Sequence, residues 1–313
     1  GQRGNVIQAF EDKPINFNAW DIDIYYTEKM WEVNDVVSVE VVEEGPVRGV
    51  LRIQKKFLKS LITQDIVVYN EIPRIDFETT VDWKEQEILL KAAFPVRVNA
   101  SKATFEIQYG NLERNTHKNT SWDEAKFEVC AHKWVDVSEY DYGVSLLNDC
   151  KYGHDVSGTD MRITLLKSGI YPNPDADKEV HHFVYSLYPH EKGWREAGTV
   201  AMAYELNNPM IARGLDCQEG ILPSSLSTIR VSDPHVVVET VKKAEADDAW
   251  IIRLYECYNS SKPVTLTLFR PIAYAAECDM LEEDDVEIPF EGNQIKLEVK
   301  PFEIKTLKVR IKL

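Results

Sequence analysis

Val36-Val37-Ser38-Val39-Glu40-Val41 sets valine at positions 37, 39 and 41, and the two-residue rhythm it starts is kept as far as Tyr109. It returns in residues 50–53, at Ile62 and residues 66–68, at Ile75, Phe77 and Val81, in residues 88–90, and at Phe105, Ile107 and Tyr109. Side chains that alternate between two faces belong to strands, since an apolar helix face needs a period of 3.6. Breaks fall at Glu44-Gly45-Pro46, Pro73, Asp82-Trp83-Lys84 and Pro95. Short strands at this spacing predict antiparallel β-structure. Several are apolar on one side and charged on the other, as in a sheet with one wet face. The expectation is an all-β chain built on a large antiparallel β-sandwich.

Upstream, Phe10-Glu11-Asp12-Lys13-Pro14 is followed by Ala19-Trp20-Asp21-Ile22-Asp23-Ile24-Tyr25-Tyr26. If this segment is extended, Asp21 and Asp23 share a face opposite Ile22 and Ile24. Such a pair could grip a sugar diol or a cation, or could be the wet side of an edge strand.

Downstream, residues 111–152 interleave amides, carboxylates, bases and large aromatics more densely than any other part of the chain. A sugar site uses this mixture: aromatic rings cover the C–H side of a pyranose, while Asn, Asp, Arg and His serve its hydroxyls. The alternative is that Trp122, Trp134 and Tyr142 are core residues and the polar groups cap turns. Two more strands are expected at 161–166 and 181–188. Between them Tyr171-Pro172-Asn173-Pro174-Asp175-Ala176-Asp177-Lys178 reads as a rigid acidic loop, either a ligand contact or a solvated connection.

One short helix is expected near 196–207. Ala197, Val200, Ala201 and Tyr204 recur at helical spacing, and Asn207-Asn208-Pro209 stops the run. A boundary near Thr228 divides a large domain, 1–228, from a smaller β-sandwich, 229–313. The acidic run 282–285 is read as a solvated turn.

The chain has 313 residues, 52 acidic and 36 basic, for a net charge of −16. That balance argues against nucleic acid or an anionic membrane as the main partner. No apolar run reaches the ~20 residues of a membrane span. Five widely spaced cysteines, with no Cys-x-x-Cys pair, give neither a disulfide framework nor a structural zinc site, and point to a reducing compartment. The opening Gly1-Gln2-Arg3-Gly4-Asn5 lacks an initiator Met and a signal pattern, so the sequence reads as a piece of something longer.

Catalytic signatures are scarce. His181 and His182 are adjacent and on a strand would point to opposite faces. His117 and His132 could converge, but no histidines stand at helical i, i+4 spacing. There is no Gly-x-Ser-x-Gly elbow and no phosphate loop. A glycosidase needs two placed carboxyls, and no spacing singles out two of the 52 acids.

Five segments carry a resemblance. They are Phe10-Glu-Asp-Lys-Pro with Ala19-Trp-Asp-Ile-Asp-Ile-Tyr-Tyr; Arg114-Asn-Thr-His-Lys-Asn-Thr-Ser-Trp-Asp; Phe127-Glu-Val-Cys-Ala-His-Lys-Trp-Val-Asp-Val-Ser-Glu; Tyr142-Gly-Val-Ser-Leu-Leu-Asn-Asp-Cys-Lys-Tyr-Gly; and Trp194-Arg-Glu-Ala-Gly with Leu206-Asn-Asn-Pro. Together with the closing Val299-Lys-Pro-Phe-Glu-Ile-Lys-Thr-Leu, they resemble the C-terminal half of glycoside hydrolase family 38 α-mannosidases, most of all the cytosolic and bacterial branch. The resemblance implies a galactose-mutarotase-like β-supersandwich and a cytoplasmic enzyme. Upstream it implies an α/β barrel holding zinc, the nucleophile and the acid of a retaining mechanism. No catalytic residue, metal ligand or cofactor is then expected in this chain, which alone should be inactive. The partners implied are the catalytic barrel of the same polypeptide and a mannose-containing oligosaccharide, with a homo-oligomer left open. Substrate-facing candidates are Asp21, Asp23, His117, Trp122, Asn148, Asp149, Lys151 and Asp177. Two other readings stand beside it: an aldose epimerase using His117 or His132 with Glu128 or Asp149, and a stand-alone carbohydrate-binding module.

Overall fold

The computed structural model describes residues 2–216, 219–221 and 223–312. It divides into two compact units, Gly1–Ile107 with Leu112–Met210 and Gln108–Asn111 with Ile211–Leu313. The described residues form four sheets, antiparallel in every strand pair.

The first unit is a two-layer sandwich. One sheet has nine strands in the order Asp35–Glu44, Arg48–Phe57, Ser60–Tyr69, Ile75–Asp82, Val180–Glu191, Tyr142–Asn148, Trp134–Ser138, Lys102–Ile107 and Gly110–Asn115. The other has six: Val129–Cys130, Gly153–Ser157, Asp160–Ser168, Ile88–Pro95, Val6–Glu11 and Met30–Glu32. Strand Ile88–Pro95 shows how sequence makes this layer. Alternation sends Leu90, Ala92 and Phe94 into the inter-sheet core with Ile7, Ile163, Val135 and Leu146. Leu89 and Lys91 point the other way, and Leu89 joins Phe10 and Tyr26 in a second apolar cluster. Both faces are therefore covered, and the strand reads as a nearly continuous apolar run. Each fully buried Leu here contributes about 1.5–3 kcal/mol by leaving water. Aromatic pairs fill the core: Phe77 stacks on Tyr185 at 5.1 Å, and Phe57 on Trp83 at 6.1 Å between centroids.

The second unit packs a four-stranded sheet (Ile229–Val231, Val264–Leu268, Gln294–Leu297, Phe290–Glu291) and a five-stranded sheet (Val236–Lys243, Trp250–Glu256, Ile304–Ile311, Ile272–Cys278, Val286–Glu287) around Ile252, Leu254, Leu266, Ile295 and Leu307. Glu256 organises one end. Its wholly buried carboxylate accepts from the backbone N–H of Tyr258 and Ser260 on Oε1, at 2.8 and 3.0 Å, and of Asn259 and Phe302 on Oε2, at 3.0 and 2.9 Å.

The expected helix is present as Thr199–Asn207, ended at Asn208. Its buried residues are Thr199, Val200 and Ala203 rather than the Ala201 that the spacing favoured, and Thr199 Oγ1 meets the buried Ser145 Oγ at 2.9 Å. Residues 19–26 form no strand: a turn at 18–20 is followed, after residues 21–23, by a 3-10 helix, Ile24–Glu28, so Asp21 and Asp23 do not form a strand-face pair. Asn18, Asp21 and Asp23 favour turns over strand ladders. The valines of Asp35–Glu44 also depart from their alternation. This strand is the free edge of the nine-stranded sheet, and Val36, Val37, Val39 and Val41 are each half exposed or more.

Candidate functional site

The N-terminal candidates lie in a loop assembly joined across the chain. Asn18 Oδ1 accepts from Ile170 N at 2.5 Å, and a Cβ at Gly169 would lie 2.6 Å from the same oxygen, so only glycine admits this approach. The contact ties the 17–20 turn to the proline-rich loop, whose Pro174 carbonyl accepts from Gln86 Nε2. Ile15, Phe17, Trp20 and Tyr171 stand exposed around it. Asp21 is exposed; Asp23 is half-buried and its Oδ2 accepts from Ile15 N at 2.8 Å. Asp23 also lines a cavity of about 380 Å³ shared with Asp12, Tyr25 and Glu28. Asp177 is exposed in a left-handed conformation, and its carbonyl meets His181 Nε2 at 2.8 Å.

The second group is a one-turn helix, Ser121–Glu124, capped by Thr120 Oγ1, which accepts from Asp123 N at 3.2 Å. Asp123 receives Asn115 Nδ2 at 2.9 Å and Thr120 Oγ1 at 2.9 Å, and these bonds hold its carboxyl below the usual aspartate range. His117 Nδ1 stands 3.7 Å from Asp123 Oδ2. The turn projects Trp122 into solvent at 79% exposure, so it is not a core tryptophan, whereas Trp134 is buried against Trp194.

In the third group Asn148 is wholly buried. Its Nδ2 donates to His132 O at 2.6 Å and its Oδ1 accepts from Lys151 N at 2.7 Å. Its amide is consumed in shaping the loop. Asp149 Oδ2 accepts from Val184 N at 3.1 Å, and Oδ1 is buried without a partner. Lys151 Nζ lies 4.4 Å from the centre of the Phe183 ring. Burial, helped by Asp149, pushes the Cys150 thiol up to about 11, which keeps it protonated and a poor nucleophile at neutral pH.

Among the described residues, no hydrogen bond or ion pair joins these three groups to one another. Glu128 is bound by Lys91 and by Thr164 Oγ1 at 2.6 Å, so it is not free to act as an epimerase base with His117 or His132. No group of three or more His, Cys, Asp or Glu among the described residues could hold a metal ion. No described helix is long and apolar enough to cross a membrane. Sequence reasoning missed Asp12. It is 1% exposed, paired with Lys167 from a strand far along the chain, with Oδ1 unpartnered. Asp12 stood inside a quoted segment, but nothing marked its distant partner.

An α-mannosidase structure from Enterococcus faecalis superposes over 98% of this chain and 38% of its own at a TM-score of 0.80 with 17% identity, which establishes the fold. Residues 1–175 match the glycosyl hydrolases family 38 C-terminal domain, and residues 235–307 match that family's C-terminal β-sandwich domain. The chain belongs to this family. It is 39% identical to human alpha-mannosidase 2C1, over 98% of this chain and 30% of that protein. To the alpha-mannosidase of Saccharomyces cerevisiae it is 32% identical, over 97% and 31%. The chain thus spans about a third of the length of these relatives.

Proposed function

We propose that this chain is the supporting, non-catalytic part of a retaining, zinc-dependent α-mannosidase of the cytoplasm, packed on an upstream catalytic barrel and lining one side of its mannoside cleft. The observation that carries this is end-to-end similarity to proteins named α-mannosidases, of which the chain spans only about 30%. The barrel would hold the zinc and the reacting carboxyls. This chain would supply the exposed Asp21, Asp177, Trp122 and His117, together with the half-buried Asp23, Asp149 and Lys151, to order the neighbouring sugar or the catalytic loops. The exposed Phe17, Trp20 and Tyr171 suit a surface that another domain covers.

The test is hydrolysis of an aryl α-mannoside by this chain and by a version extended through the upstream region, each with and without zinc. Turnover by the extended protein only is expected. Turnover by the 313-residue chain alone would place the catalytic groups within it and overturn the proposal.

A further inference from the structure

We propose that the inner face of strands Asp35–Glu44 and Arg48–Phe57 is a docking surface for a β-hairpin from the polypeptide immediately upstream of residue 1. The hairpin joins the free edge of Met30–Glu32 and extends the six-stranded sheet. This rests on the upstream region invoked above, and names where part of it packs.

Register identifies the face. Phe77 meets Phe94 of the six-stranded sheet at 5.6 Å, so its side of the nine-stranded sheet is the inner one. Residues directly opposed in an antiparallel pair share a face. Phe77 opposes Ile66, Ile66 opposes Leu51, and Leu51 opposes Val41. In the next rows Gln64 opposes Ile53 and Ile53 opposes Val39, while Ile62 leads through Lys55 to Val36. The inner face thus runs out in a strip where Val36, Val39 and Val41 are 50, 56 and 60% exposed. The other face of these strands is complete. Arg52 donates twice to Asp65 at 2.7 Å, and Ser38, Gln54 and Thr63 are linked in a chain at 3.1 Å. A sheet polar and satisfied on one side and apolar and bare on the other lacks its second layer.

Several observations select the occupant. Met30–Glu32 ends the six-stranded sheet, while the nine-stranded sheet continues to Asp35–Glu44. Strands lie about 4.8 Å apart within a sheet, so about two added strands cover the two bare ones. Arg3 pairs with Glu32 and donates to Asn34 Oδ1 at 3.3 Å, so the chain enters beside that edge. The matched family domain is C-terminal and the chain spans about 30% of its relatives, which places their remaining length upstream. A cavity of about 440 Å³ lined by Trp31, Val33, Phe57 and Ile88 lies where the two sheet edges meet, with room for a large apolar side chain. Lys55 makes no ion pair among the described residues, and burial, with Arg3 nearby, lowers its pKa. An acidic residue on the hairpin would complete it. Two copies pairing through Asp35–Glu44 are disfavoured by its register shifts at Val36/Ser38 and Val41/Glu43 and by Asp35, Glu40, Glu43 and Glu44.

Hydrogen exchange read by mass spectrometry would compare the 313-residue chain with the version extended through the upstream region. Amides of residues 28–34 should exchange about tenfold or more slowly in the extended protein, and the stretch just ahead of residue 1 should also be slow. Val39→Asp should lower the melting midpoint of the extended protein by about 5 °C and leave that of the 313-residue chain unchanged. Glu40→Gln, on the opposite face, should change neither. Equal exchange at 28–34 in the two proteins, free exchange just ahead of residue 1, or a neutral Val39→Asp in the extended protein would overturn the hairpin. A dimer of the extended protein broken by Val39→Asp would give the face to a second copy, and would overturn it too. Mannoside hydrolysis by an extended protein in which this face stays bare would remove the hairpin and leave the supporting role standing.

Discussion

Lys91 Nζ lies 2.6 Å from Asp155 Oδ2 in a site where the lysine side chain is wholly buried. Glu128 closes the other side of the ammonium, and Tyr26 OH stands 3.4 Å away. Burial alone would lower a lysine's pKa; here Glu128 and Asp155 overcome it and hold Lys91 above the usual lysine range. Removing the ammonium leaves Glu128 to Thr164 and Tyr26 and Asp155 to Arg162, with one buried negative charge uncompensated. Lys91→Met should therefore destabilise the first unit by about 3–5 kcal/mol, read from urea unfolding. Adding Glu128→Gln and Asp155→Asn should recover much of the loss. The raised pKa makes this contribution complete below about pH 10.4 and lost only as pH rises beyond the folded value.

His154 sits next to that network. It is 1% exposed, Nδ1 meets Tyr152 O at 3.2 Å, and Nε2 has no partner. Burial lowers its pKa to about 4, with the nearby Lys91 charge adding to the effect. The unfolded chain takes up this proton near pH 6.5 and the folded one does not, so stability is full above about 6.5 and falls toward pH 4. The loss over that window is about 3 kcal/mol. A His154→Phe variant compared with wild type at pH 7 and pH 4.5 should show a shallower loss.

Asn148 and Trp122 should separate scaffold from surface. Asn148→Ala leaves the His132 carbonyl and the Lys151 N–H unpaired in a buried loop, for a cost of about 2–4 kcal/mol in thermal or urea unfolding. Trp122→Ala, at 79% exposure, should alter stability by no more than about 0.5 kcal/mol. In the extended protein Trp122→Ala should instead lower turnover. Unfolding and hydrolysis measured on both variants check the division.

Glu256 gathers four backbone N–H groups on one buried carboxylate. Glu256→Gln keeps the shape but sets an NH₂ against two donors. The second unit should lose about 2–3 kcal/mol, measured as the urea midpoint of the transition followed through its tryptophan, Trp250.

Much of the fold was legible because burial writes itself into periodicity. The run Ile88-Leu89-Leu90 marked a strand, though not that both its faces would be covered, and Asn207-Asn208-Pro209 marked where the helix would end, at Asn207. The same rule misled at Val37, Val39 and Val41, since alternation describes a strand but does not say whether anything lies over it. The acidic run 282–285 is a turn as read, yet Glu282 is not solvated. Its Oε1 lies 2.7 Å from Lys242 Nζ and its side chain is 6% exposed.

The candidate site was less legible. Aromatic and polar density drew attention to residues 111–152, but density does not distinguish the exposed Trp122 from the buried Trp134, or the accessible His117 from the enclosed Asn148. That distinction depends on which neighbours close over each residue.

By itself the sequence determined the all-β class, the helix near its stop signal, and membership of a family whose motifs run in order along the chain. These are local or linear properties, set by strand periodicity, turn chemistry and residue order. Only the tertiary structure decided that Asp12 meets Lys167 while its second oxygen is buried without a partner, and that Lys91 lies between Glu128 and Asp155. Pairings between distant strands follow from sheet order and register, and no short-range pattern encodes which charges these will bring together.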